Sequence, residues 1–204
     1  MSEERNRPIS GGKAVVECLK AYNIKYVFGL IGSATMELFD ALYDEKSINF
    51  VDVRDERTGT HMADAYARAS GKPGVCAAQA VGAANLAAGL RDALLGNSPV
   101  VALTGGRKSM EKHKGAYQEN DDYPIFEKLT KANFQVDQVE RLPDLMRQAF
   151  REATTGNPGP VNLQMAGNNG QIEDDYAELE LIVEDRYTKT PSHRFSPPIE
   201  AIKQ

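Results

Sequence analysis

The sequence predicts a doubly wound α/β domain, a mostly parallel six-stranded sheet with helices on both faces. Short apolar runs alternate with longer segments of helical period along most of the chain. Six strand-like runs with helices between them imply right-handed crossovers, which set neighbouring strands parallel and cover both sheet faces. The length, 204 residues with 41% hydrophobic, suffices for one sizeable core plus an extension.

Each element has its own signal. Ser10 stands at a helix start, and Ala14, Val15, Cys18 and Leu19 share one face of a helix through about Tyr22. "YVFGL" reads as a buried strand. "SATMELFDALYDE" follows as a helix with Met36, Phe39, Leu42 and Tyr43 directed inward. "INFVDV" is the second strand, and "VRDERTGTHMADAYARASGKPG" supplies the next helix, with Glu56 near its start. "GVCAAQA" is a strand, "GAANLAAGLRDALLGN" a helix, and "PVVALTG" a strand that runs into a polar loop from Gly106 to Asn120. "DDYPIFEKLTK" predicts a short helix and "ANFQV" a strand. Leu142 to Thr155 is a helix, and "GPVNLQM" the last strand.

The domain therefore spans 10–167, after a polar tail over 1–9. From 168 to 204 the composition turns acidic and then proline-bearing, which predicts a linker or a strap along the surface. The final "PPIEAIKQ" has Pro198 at a helix start and Ile199 and Ile202 at helical spacing. One turn does not hold alone, so the segment reads as leading toward a middle domain absent from these residues.

The net charge of -5 with mixed signs argues against a nucleic-acid partner. Cys18 and Cys76 lie in apolar periodic segments and read as buried free thiols, suited to a reducing cytoplasm. No apolar run reaches membrane-spanning length, and "MSEERNRPIS" lacks the apolar stretch of a signal peptide. No Cys/His cluster points to a metal, so no metal ligand is assigned.

Glu56 is the first candidate for chemistry. It follows a strand, and open parallel sheets bind ligands at the carboxyl ends of their strands. A negative charge at a helix start is also favourable by itself. Asp55 and Arg57 are equally charged and equally near, so position alone leaves both readings open. Thr60, Ala63, Ala67 and Ser70 form a stripe of small residues on the same helix. The next helix carries Ala83, Ala84, Ala87, Ala88 and Gly89. Such faces allow close helix approach, either between subunits or within the fold. His61 reads as a surface or interface residue, and His113 lies in the polar loop with lysines around it and no paired histidine beside it.

"ERTGTHMADAYARASGKPGV" resembles the N-terminal, pyrimidine-binding domain of thiamine diphosphate enzymes, above all the acetolactate synthase-like group. "VFGLIGSATMELFDAL", "GAANLAAGLRDALLGNSPVVALTG", "AYQEND" and "ATTGNPGPVNLQM" are similar to further segments of that domain, in the same order. The resemblance covers about residues 10 to 165. It implies that Glu56 hydrogen-bonds N1′ of the cofactor's aminopyrimidine and favours the imino tautomer that takes the thiazolium C2 proton. It places Asn85 near the cofactor, Gln118 on a loop reaching toward cofactor and substrate, and Gly32 in a first turn where a side chain would crowd a ligand. Two departures alter the pocket lining. Ala80-Val81-Gly82 replaces the usual Gly-Pro-Gly, and Ile31 replaces a proline.

The resemblance further implies a homodimer or higher oligomer and a small 2-oxo acid substrate. A diphosphate-binding domain, in the same or a separate chain, would hold Mg2+. FAD, which in acetolactate synthases lies largely against the middle domain, is possible. Two other readings stand beside a part of one long enzyme: a natural small subunit of a two-chain thiamine diphosphate decarboxylase, and a non-catalytic nucleotide-binding α/β module. The last lacks the glycine-rich or Walker sequence it would need after a strand.

Overall fold

The computed structural model describes residues 8–107, 111–166, 176–181, 183–193 and 199–202. Ser10 occupies the N-cap position of α1 (Gly11–Ala21) without a side-chain cap bond. Its backbone belongs instead to β1 (Ile9–Ser10). The sheet strands follow as β2 (Tyr26–Leu30), β3 (Asn49–Asp52), β4 (Gly74–Ala78), β5 (Val100–Gly106), β6 (Ala132–Val136) and β7 (Val161–Ala166). They form one six-stranded sheet in the order β3-β2-β4-β5-β7-β6, and every neighbouring pair is parallel. The fold is the α/β class read from the sequence.

Both sheet faces are covered, as parallel strands require. On one face α1, α2 (Met36–Asp44) and α6 (Leu142–Thr154) bury Val15, Leu19, Leu38, Leu42, Met146 and Phe150 against the strands. Tyr22 and Phe150 stack with centroids 4.1 Å apart and tie α1 to α6. On the other face lie α3 (Glu56–Ser70), α4 (Ala80–Leu95) and the short α5 (Tyr123–Phe126), with Ala63, Ala83, Leu86, Leu90 and Phe126 in the core. Cys18 and Cys76 are free and buried, and burial pushes each thiol up to about 12.

Several local readings need correction. Met36 and Tyr43 do not point inward: they are 52% and 79% exposed. The helix is turned so that Leu38, Phe39 and Leu42 face the sheet, and Met36 and Tyr43 fall past the Phe39 flank. β4 stops at Ala78, because Gln79 already caps α4. The helix expected over "DDYPIFEKLTK" is only α5, since Phe126 anchors one turn and the chain must then reach β6.

The stripe of small residues is taken up inside the chain. Thr60, Ala63 and Ala67 are at most 2% exposed, and Ala83 and Ala87 are fully buried. Thr60 Oγ1 donates to the Leu86 carbonyl at 3.0 Å, and a Cβ on Gly89 would come within 2.7 Å of Thr60 Cβ. α3 and α4 therefore approach closely because their facing residues are small. Ser70 and Ala88 remain exposed.

Beyond the sheet, β8 (Tyr176–Ala177) pairs antiparallel with β1. Glu184 accepts from Arg151 at 2.6 Å, and Tyr187 is 7% exposed under the Arg151 guanidinium. The Thr190 amide donates to the Gly71 carbonyl at 2.8 Å. α7 (Ile199–Ile202) is a single turn.

Gly74 sets how closely α3 approaches β4, because a Cβ there would lie 2.1 Å from the Ala63 carbonyl oxygen. Backbone cannot yield as a side chain can. Gly74→Ala is expected to destabilise the chain by about 1–3 kcal/mol through overpacking, read as a lower denaturant midpoint with an unchanged slope.

Candidate active site

α2 leaves the carboxyl end of β2 toward one face, and α4 leaves the carboxyl end of the adjacent β4 toward the other. Such a reversal opens a crevice at the strand ends, where open α/β sheets bind ligands. The sequence-predicted residues assemble in two groups around it.

Glu56 forms the first group. Asp55 is the N-cap of α3: its side chain accepts from the Arg57 amide at 2.9 Å and pairs with the Arg57 guanidinium. Those bonds hold the Asp55 carboxyl down at about 2. The charge that caps the helix is therefore Asp55, and Glu56, at the first helical position, turns inward and is 8% exposed. Asn85 Nδ2 donates to Glu56 Oε2 at 3.1 Å. Gly82 leaves room for the other oxygen, since a Cβ there would stand 2.3 Å from Glu56 Oε1. Thr60, one turn into α3, bonds the Leu86 carbonyl one turn further along α4. The carboxyl is thus fixed by a helix-helix contact and engaged by an amide.

Gly32, Ser33, Gln79 and Gln118 form the second group. Ser33 Oγ lies 3.4 Å from Gln79 Oε1 and 3.3 Å from Gln118 Oε1. A hydroxyl has one proton, so it serves one amide oxygen at a time. Gly32 has an extended backbone, with φ -152. Its missing side chain makes room for Gln79, whose Cδ would lie 2.3 Å from a Cβ. The space expected to accommodate a ligand is thus occupied by a side chain of the chain itself. Gln118 has φ +57, a left-handed conformation that costs a non-glycine residue roughly 1 kcal/mol or more. That turn brings its amide back to Ser33.

Sequence reasoning missed Gln79 and Ser33. Gln79 had a signal: it is the polar end of the otherwise apolar "GVCAA". It joins the two groups, because it caps the helix that carries Gly82 and Asn85. His61 is exposed and lies 3.8 Å from Asp92, outside both groups. Among the described residues no cluster of His, Cys, Asp or Glu is placed to hold a metal ion.

The family model described as "Thiamine pyrophosphate enzyme, N-terminal TPP binding domain" matches residues 9–125. The chain belongs to this family. Thiamine pyrophosphate and thiamine diphosphate are the same compound. A probable acetolactate synthase large subunit of Methanocaldococcus jannaschii is 40% identical over 168 residues, 81% of this chain and 28% of that protein. The chloroplastic acetolactate synthase of Arabidopsis thaliana is 41% identical over 157 residues, 76% of this chain and 23% of that protein. The isozyme 2 large subunit of Escherichia coli is 39% identical over 179 residues, 84% of this chain and 32% of that protein. The chain is a TPP-binding N-terminal domain of the acetolactate synthase-like type, and it spans about a quarter to a third of these relatives. Among the described residues no helix is long and apolar enough to cross a membrane.

The Glu56 group fits the cofactor of this family. A carboxyl held by one amide, with its second oxygen in a cradle that a Cβ on residue 82 would fill, is a group able to share a proton with a ring nitrogen.

Beside the site, Asp122 is 1% exposed, and burial together with the neighbouring Asp121 raises its carboxyl to about 6. A raised folded-state value favours the protonated form. Its contribution to stability is full below the unfolded value near 3.8 and is lost as pH rises through about 6. Asp122→Asn is expected to stabilise the chain at pH 8 and to bring little change at pH 4. Denaturant midpoints at the two pH values measure it, and an equal shift at both would contradict it.

Proposed function

We propose that the complete protein is a thiamine diphosphate-dependent 2-oxo acid decarboxylase or carboligase of the acetolactate synthase type, a lyase or transferase in which this chain binds and activates the cofactor's pyrimidine. The observation that carries this reading is the carboxyl of Glu56, withdrawn from helix capping and held by Asn85 over Gly82.

The bound cofactor would supply the electron sink for decarboxylation. Glu56 holds and shares a proton at the pyrimidine N1′, which an amide in its place could not do. Asn85 would hold the carboxyl in place for that bond, and the Thr60 bond to α4 holds the helix spacing. Gln118 and Gln79, each within reach of the Ser33 hydroxyl, stand at the crevice as amides able to orient a polar substrate.

A diphosphate-binding domain holding Mg2+ is proposed to close over this face in a homodimer or higher oligomer, in the cytoplasm. Ile31 and Val81, next to Gly32 and Gly82, are 54% and 44% exposed, and such a domain would cover them. The 204-residue chain alone is accordingly expected to bind the cofactor weakly and not to turn over 2-oxo acids. Steady decarboxylation by the purified chain would contradict this.

The decisive test is Glu56→Gln in the full-length enzyme. Folding is expected to survive, since a partly buried helix-start charge contributes at most about 2 kcal/mol and Asp55 still caps α3. C2 proton exchange of the saturated cofactor, read by NMR after acid quench, is expected to fall roughly a hundredfold to ten-thousandfold. Asp55→Asn shares the helix start but not the inward carboxyl, and its exchange is expected to stay near wild type. Wild-type exchange in Glu56→Gln would return Glu56 to a purely structural role.

A further inference from the structure

One face of β5, β7 and β6 is polar where a buried parallel sheet is ordinarily apolar. Asn162 stands opposite Asn133, and Thr104 and Gln135 flank Gln164 in register. Part of this face is satisfied internally. Thr104 Oγ1 donates to Asn162 Oδ1 at 2.8 Å, Asn162 Nδ2 donates to Asn133 Oδ1 at 2.8 Å, and Asn133 Nδ2 donates to the Tyr123 carbonyl at 2.8 Å. That ladder fastens α5 to the sheet.

Gln164 lies one pleat closer to the carboxyl ends and has no place in the ladder. It is 4% exposed, and its amide makes no hydrogen bond to any described residue. Gly106 leaves the space the amide occupies, since a Cβ there would be 2.7 Å from Gln164 Cδ. The amide lines a cavity instead, where it is placed to bond a ligand.

A cavity of about 670 Å³ opens over Gln164, beneath the 111–121 loop. Its volume falls within the usual range for small-molecule sites. Its cations among the described residues are Arg107, 7% exposed and already engaged by the Tyr117 carbonyl among other partners, and Lys112, which forms no ion pair with any described residue. His113 stands beside them. Of the two acids on the wall, Glu119 already accepts from the backbone amides of His113 and Ala116, while Asp121 is exposed to solvent. The wall's anionic capacity is partly engaged, whereas among the described residues Lys112 has no acidic partner and the Gln164 amide no hydrogen bond.

We propose that this cavity binds a compact oxyanion group (a carboxylate, sulfonate or phosphonate), with the Gln164 amide as its floor and Lys112 and Arg107 as its cationic rim. The site does not depend on the cofactor reading, because none of its residues belongs to the Glu56 group. The loop that forms its wall also carries Gln118. The oxyanion therefore has two possible sources: a second acid group on the substrate, or a separate anion bound beside it.

The test on this chain uses methylphosphonate and malonate as probes, with glycerol as the neutral control. NMR is expected to show saturable shifts of the Gln164 side-chain amide with each acid and none with glycerol. Affinity is expected to fall about tenfold or more in Lys112→Met, the size of a lost charge-assisted bond, and to be retained in Lys112→Arg. It is expected to be lost in Gln164→Leu, whose folding is checked by the remaining backbone resonances. No saturable shift, or equal affinity in wild type and Lys112→Met, would overturn the site. In the full-length enzyme, methylphosphonate competitive with the 2-oxo acid assigns the cavity to the substrate's own second acid group. Mixed or uncompetitive behaviour assigns it to a separate anion. A full-length enzyme without cofactor-dependent turnover would sink the proposed function and leave the titration result standing.

Discussion

The close approach of α3 to α4 is the constraint on which the site depends. Gly82, Gly89 and Thr60 permit it, and the Thr60 hydroxyl fixes it by bonding an α4 carbonyl. Two helices at this distance place the first turn of α3 beside the first two turns of α4. Glu56 and Asn85, 29 positions apart in the chain, become hydrogen-bond partners as a result. A larger residue at position 82 would push the Glu56 carboxyl aside by direct contact, and one at position 89 would displace Thr60. The small-residue stripes are therefore part of the positioning of a carboxyl as well as of the core.

A division of labour at the start of α3 gives Glu56 its freedom. Helix N-termini attract acidic side chains, and an acid that caps is committed to backbone amides. Here Asp55 takes that role and pairs with Arg57 at the surface. The adjacent acid is left to face inward. Two neighbouring carboxylates of the same helix start thus have opposite environments, one solvated and paired with a cation, the other nearly sealed and matched to an amide.

The carboxyl ends of the strands differ in the same way from one side of the sheet to the other. At β2 and β4 the crevice is lined by short polar side chains and amides held close to the backbone. Past β5 the described segment 111–121 carries Lys112, His113 and Gln118, and His113 and Gln118 both adopt left-handed backbone conformations. The Thr104, Asn162 and Asn133 ladder anchors the far end of this loop through Tyr123. A polar sheet face thereby serves the loop, in place of the apolar packing found under α4.

The sequence by itself determined the architecture, because hydrophobic period and turn chemistry are local properties. Six strands, the helices between them and the parallel class were legible, and so was the position of Glu56 at a helix start after a strand. Local pattern also has limits at element edges. Met36 and Tyr43 share a helical flank with Phe39, and which residues of that flank are covered depends on how α2 is rolled on the sheet. Tertiary structure alone decided which of Asp55, Glu56 and Arg57 turns inward, since the three are equivalent along the chain and differ only once α4 is beside them. It alone brought Gln79 and Ser33 between Gly32 and Gln118, and turned Gln164 under a cavity. Those contacts join residues tens of positions apart, and a one-dimensional period carries no record of a distance that exists only after the sheet has closed and its helices have packed.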